Sequence, residues 1–170
     1  MNFELIFFSI VSAVAVISAI MMITRPNPVM SVLYLIVNFF CLAVLYLTLH
    51  AQFIAIIQIL VYAGAIMVLF LFVIMLLNLG EEKHYHEGGN RYSKLVAIGL
   101  SALALLEIIA GIVLVPKSVQ PYPPAVIEMG TVEGIGKVLF TSYLFPFEIT
   151  SMLLLAAMVG VIVLAKKKFD

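Results

Sequence analysis

Few residues in this sequence have side chains suited to chemistry, and they are scattered. Glu107 is the only ionisable group well inside an apolar run, and Glu148 stands in "YLFPFEITSMLLL", near the start of another. A carboxyl group in lipid is costly, so Glu107 is expected to face a helix bundle or a water-filled cavity, as groups on ion and proton paths do. The alternative is a carboxyl group that only hydrogen-bonds to a neighbouring helix. For Glu148, a helix whose first position is Pro146 would put the carboxylate third, where it caps the positive helix end. Proton transfer is the second reading. His84 and His86 in "EEKHYHE" resemble ligands, but a solvated loop fixes no geometry and no metal site is expected. Phosphate-cradling glycine loops, CxxC, HExxH and nucleophile elbows are all missing from the sequence.

One further stretch is unusual. "QILVYAGAIMVLFLFVIMLLNLG", Gln58 to Gly80, is apolar enough for lipid, yet its first half contains Tyr62-Ala63-Gly64-Ala65. Glycine is a poor helix former, and a phenol leaving water needs a partner. Gly64 also eases altered backbone geometry and close helix approach.

The elements that hold these residues follow from composition. The chain of 170 residues is 65% hydrophobic and 11% charged, too apolar for a water-facing surface, so lipid is its solvent. A net charge of zero argues against nucleic acid as a partner. Cys41 has no second cysteine to pair with and reads as a small core residue. The first apolar run lacks a signal-peptide pattern and is expected to be a permanent span.

The fold class expected is an all-α integral membrane protein, a bundle of five transmembrane helices in a single membrane domain over residues 1–170. The spans read as 5–23, 29–49, 53–79, 95–115 and 145–165, each long enough for the roughly 20 residues a bilayer needs. The third is longest, roughly 40 Å at 1.5 Å per residue against a core of about 30 Å. Tilt or a local loosening of the helix would absorb the excess. Asn27 is expected to cap the second span with Pro28 at its first position. "HAQ" is a tight return, and "PKSVQPYPP" is expected to be extended, because prolines deny it a helix. Asn38, Thr48 and Gln58 are expected to hydrogen-bond between helices. Ala156 and Gly160 form a small-xxx-small pair suited to close helix contact.

Seven Lys and Arg residues fall on the side of Arg25, Lys83, Arg91, Lys94 and Lys166–Lys168, and two on the other, Lys117 and Lys137. The positive-inside rule then puts the N-terminus outside and the C-terminus in the cytoplasm.

Two segments carry a family resemblance. "NPVMSVLYLIVNFFCLAVLYLTLHAQFIAIIQILVYAGAIMVLFLFVIMLLNLG" and "YLFPFEITSMLLLAAMVGVIVLAKK" cover about half the chain. They closely resemble the subunit J family of bacterial NADH–quinone oxidoreductase, the counterpart of chain 6 of mitochondrial respiratory complex I. The resemblance implies a five-helix subunit of the inner-membrane arm, near its junction with the peripheral arm. It implies no cofactor on this chain, with NADH, FMN, iron–sulfur clusters and quinone bound by other subunits. Its implied partners are the membrane subunits of A, H, K and N type and membrane lipid. The family's third helix carries a π-bulge that can relax to α-helix, a change associated with coupling quinone reduction to proton translocation. Tyr62, Ala63, Gly64, Ala65, Met67 and Phe70 match that segment residue by residue. Some relatives have glutamate where this chain has Gln58, so Gln58 cannot carry a proton by ionising. The competing readings are a purely structural scaffold in the same complex and a stand-alone channel or transporter, which would need more polar residues along a pore.

Overall fold

The computed structural model describes residues 3–77, 91–114 and 123–166. Every regular element among them is helical, and five helical stretches are long and apolar enough to cross a membrane. The first two spans are α1 (Phe3–Thr24) and α2 (Pro28–Thr48). The third is continuous but not uniform: α3 (Gln52–Ile57), a π-helical segment (Gln58–Ile66) and α4 (Met67–Leu77). The fourth is α5 (Arg91–Leu114) and the fifth α8 (Leu144–Ala165), with two short helices between them, α6 (Pro124–Met129) and α7 (Val132–Leu139).

The joints explain where the helices stop. Asn27 Oδ1 accepts hydrogen bonds from Val29 N at 3.0 Å and Met30 N at 3.3 Å, and Pro28 fills the first position of α2. Two of the amides that a helix start leaves unpaired are thereby satisfied. Arg25 lies 5.8 Å from the centroid of the Tyr34 ring, a cation–π contact that ties the same corner. At the other end of α2, His50 takes a left-handed conformation with φ of 59°. His50 N donates to Leu47 O and Ala51 N to Tyr46 O, which closes the helix with a Schellman motif. Glycine is the usual residue there, so this return is made at some steric cost.

α1 and α2 form an antiparallel hairpin, and α2 also packs along α3, the π segment and α4. The buried residues are mostly small: Ser18, Val32, Cys41, Ala43, Ala55, Gln58 and Ala63, with Met67 and Ile74. In lipid, helices gain little from apolarity alone, so close approach and hydrogen bonds hold them together. Asn38 Nδ2 donates to Ala15 O at 2.8 Å and to Ser18 Oγ at 3.3 Å, and Ser31 Oγ donates to Met22 O. Asn38 is thus the interhelical donor expected of it. Thr48 is not: its hydroxyl bonds back to Leu45 O in its own helix at 2.7 Å, because a last-turn carbonyl lies within its reach.

The proline-rich connection is described only at its end, where Pro123 is extended, with φ of −55° and ψ of 142°, as expected. Residues 115–122 lie outside the described residues, but the chain is helical from Pro124 onward. Proline is tolerated at a first helical position, where the missing amide would have no partner. Thr131 caps α7, accepting from Gly134 N at 3.1 Å. This α6–α7 pair docks on the α2–α3 return: Phe53 N donates to Gly130 O at 3.3 Å, and a Cβ at Gly130 would collide with the His50 carbonyl.

α5 and α8 take no comparable part in this packing. Neither contains a buried residue among those described.

Candidate functional site

The π segment is the one place where a membrane span leaves regular α-helical geometry among the described residues. It lengthens the hydrogen-bond step: Met67 N donates to Tyr62 O, five residues back, where an α-helix would use Ala63 O. Gly64 is suited to this geometry. A Cβ built on it would lie 3.1 Å from Ile59 O, the carbonyl five residues earlier, so any larger residue would crowd the widened turn.

Burial along the third span shows what the extra residue does. The buried positions are Ala55, Gln58, Ala63, Met67 and Ile74. Their spacing is three, then five, then four and seven. Three, four and seven are α-helical intervals; five is not. A regular helix would place Tyr62 beneath Gln58 on this face, and the π segment substitutes Ala63, at 6% exposure. Tyr62 is displaced to the side, 45% exposed, with its ring edge-on to Phe39 of α2 at 5.9 Å and 72°. The phenol thus meets an aromatic partner through its ring rather than the polar partner expected for its hydroxyl.

The other matched residues divide between two faces. Met67 is buried, whereas Ala65 and Phe70 are exposed. Gln58 is buried at 8%, but no interhelical hydrogen bond from its side chain is found among the described residues.

The two carboxylates are not brought to this segment. Glu107 lies on α5, exposed, and faces no bundle among the described residues, where α5 buries no side chain. Glu148 is not the cap expected of it. α8 starts at Leu144, so Pro146 is its third residue and Glu148 its fifth, past the amides a carboxylate would cap. Proline fits there because the first-turn amides have no intrahelical acceptor in any case. The aromatic pair Phe140–Phe147, 5.1 Å apart, packs across this entry into α8. Ala156 and Gly160 also lie on α8, and among the described residues nothing beyond the helix's own adjacent backbone lies within 4 Å of a Cβ built at Gly160. His84 and His86 lie outside the described residues. Among the described residues no group of three or more His, Cys, Asp or Glu side chains is placed to hold a metal ion.

Sequence reasoning missed Phe39 as the contact of Tyr62 and missed α6 and α7 altogether. α7 had a legible signal: Thr131 before a helical repeat of Val132, Ile135, Val138 and Leu139. Phe39 had none, since one aromatic residue in a lipid-soluble helix looks like any other.

The family model for NADH-ubiquinone/plastoquinone oxidoreductase chain 6 matches residues 18–164, which include the whole third span. The chain is 40% identical to NAD(P)H-quinone oxidoreductase subunit 6 of the Paulinella chromatophora chromatophore, over 96% of this chain and 78% of that protein. It is 38% identical to NADH-quinone oxidoreductase subunit J of Pseudomonas aeruginosa, over 90% of this chain and 91% of the other. With subunit J of Escherichia coli K12 the identity is 37%, over 89% and 81%. A family match over residues 18–164 and relatives at 37–40% identity over most of their length agree: the chain belongs to the NADH-ubiquinone/plastoquinone oxidoreductase chain 6 family.

Proposed function

We propose that this chain is a membrane subunit of a proton-translocating NADH–quinone oxidoreductase and couples quinone reduction to proton movement through its third span. The observation that carries this reading is the five-residue step from Gln58 to Ala63. A π segment holds one residue more than the α-helix it replaces. Its relaxation re-pairs each amide with the carbonyl four residues back and rotates everything beyond by about 100°. The buried positions Ala63, Met67 and Ile74 would then give way to Tyr62, Ile66 and Val73. Exchanging Ala63 for Tyr62 needs room against α2, so the equilibrium between the two forms responds to how neighbouring helices are placed. A device of this kind requires two forms separated by only a few kcal/mol.

In this reading the chain has no catalytic centre. Nicotinamide, flavin, iron–sulfur and quinone sites belong to other subunits, and the A-, H-, K- and N-type membrane subunits cover the helices left exposed. Glu107 would act along a proton path only in company with groups those neighbours supply. The protein is multi-pass in the bacterial inner membrane, with the N-terminus outside and the C-terminus cytoplasmic. Cysteines placed between residues 81 and 92 should be labelled from the cytoplasmic side only, and those between 117 and 124 from outside only.

Gly64→Val tests the coupling role. Crowding against Ile59 O and the better helix propensity of valine than glycine both favour the α form. A bias of about 1 kcal/mol changes the ratio of the two forms roughly fivefold. Proton pumping per quinone reduced should fall in a complex that still assembles, measured side by side in inverted membrane vesicles and on native gels. If assembly fails first and the surviving complex pumps normally, the third span is a scaffold.

A further inference from the structure

Relaxation of a π segment turns one end of a helix relative to the other, and what holds each end decides which one moves. The two ends of the third span are held differently. α4 packs on α2 and buries Met67 and Ile74. α3 also packs on α2, and α7 gives it a second contact. Only Leu49, His50 and Ala51 separate α2 from α3, so α3 starts on a short tether. Phe53, the second residue of α3, has a first-turn amide with no acceptor in its own helix, and Gly130 O, between α6 and α7, accepts it at 3.3 Å. Gly130 comes this near because it has no side chain: a Cβ there would collide with the His50 carbonyl. Its φ of −82° suits any residue, so close approach alone requires the glycine.

The corner that presents Gly130 O is stiff. Glu128 O accepts from Thr131 N at 3.2 Å and from Thr131 Oγ1 at 2.7 Å, and Thr131 Oγ1 accepts in turn from Gly134 N at 3.1 Å. A Cβ at Gly134 would strike Glu128 O, so α6 and α7 meet without slack. Beyond α7, Phe140 packs on Phe147 and ties the corner to the start of α8. Two crossings separate the α2–α3 return from the α6–α7 pair, which brings both to one membrane face.

We infer that, for a third span that switches as proposed, the α6–α7 corner is a clamp that holds the α3 end and directs the turn into the α4 end, with Gly130 as its positioning residue. The costs at the two ends are unequal. In α4 the turn exchanges Met67 for Ile66 and Ile74 for Val73, one apolar side chain for another. In α3 it would put Ile56 in the place of Ala55, which is 2% exposed, and Ile59 in the place of Gln58. It would also carry Phe53 N away from Gly130 O and leave that amide without an acceptor.

The test uses the full chain in its native membrane complex, imaged by electron cryomicroscopy with Gly64→Val alone and with Gly64→Val and Gly130→Ala together. With Gly130 in place, α4 should turn by about 100° and Val73 take the position of Ile74, while Ala55 stays buried and Phe53 N stays on Gly130 O. With Gly130→Ala added, the corner should lift from the His50 carbonyl and α3 should take part of the turn. Hydrogen exchange on the complex carrying Gly130→Ala alone should show the Phe53 amide exchanging about fivefold faster, the effect of losing one hydrogen bond. A turn of α3 while Gly130 is intact, a turn confined to α4 in both variants, or unchanged exchange at Phe53 overturns the clamp and leaves the switching role standing. A π segment that persists in both maps overturns the switching role and the clamp with it. The Gly64→Val map decides between the two ends even where the Gly130 variants fail to assemble.

Discussion

The first three spans and the last two are made of similar residues and behave differently. α1, α2 and the third span bury Ala43, Ala55, Ala63 and Cys41, and the Asn38 and Ser31 hydrogen bonds join α1 to α2. α5 and α8 are just as apolar and long enough to cross a bilayer, yet leave all their large side chains exposed. The difference lies in small and polar residues that meet. In lipid an apolar surface gains nothing from finding another, so a span joins a bundle only where small side chains allow close approach or a polar group finds a partner. Ala156 and Gly160 would permit such approach on α8, but among the described residues no other element lies against Gly160. The N-terminal spans pack on one another along one face, while the last two bury no residue within the described chain.

That contrast can be broken by substitution. The largest effect is expected at Ala43, which is fully buried. Ala43→Leu should overpack the α1–α2–third-span core and cost about 1–3 kcal/mol, read as a lower unfolding midpoint of the purified chain in mixed micelles. A neutral result there would mean that the three spans are not a packed unit. Asn38→Ala comes next. Loss of its bonds to Ala15 O and Ser18 Oγ should cost about 0.6 kcal/mol, the average for a hydrogen bond between membrane helices, and at most about 1.7. Asn38→Asp with the same midpoint as the native chain would argue that the amide's donors do not hold α1 to α2.

The smallest effects belong to the other region. Gly160→Leu should leave the isolated chain's midpoint unchanged, while lowering its recovery in the assembled complex if a neighbouring helix packs on that face. A drop in the midpoint of the isolated chain would show that α8 packs within it after all. Glu148→Gln should likewise leave the chain's stability unchanged, since Glu148 stands beyond the capping turn of α8. If the variant assembles normally but loses all coupled activity, Glu148 belongs to the proton path.

Some of this was written locally. Asn27-Pro28 announced a capped helix start because the cap needs only atoms within three residues. The oddity of Tyr62-Ala63-Gly64-Ala65 was visible too, as a glycine and a phenol in the middle of an overlong apolar span. Glu148 shows the limit: proline suits several first-turn positions, so Pro146 did not fix where α8 begins, and a two-residue error removed the capping role.

The sequence by itself determined that the chain lives in lipid, how many times it can cross, and which span is irregular. Those are properties of single residues and of short windows: transfer into hydrocarbon, helix length, and the conformational freedom of glycine. Tertiary structure alone decided which spans pack, that Asn38 reaches Ala15 while Thr48 turns back on its own helix, and that Ala63 rather than Tyr62 lies beneath Gln58. Each of these depends on a second surface at a particular distance and angle, and hydropathy, which weighs one residue against its solvent, carries no information about that surface.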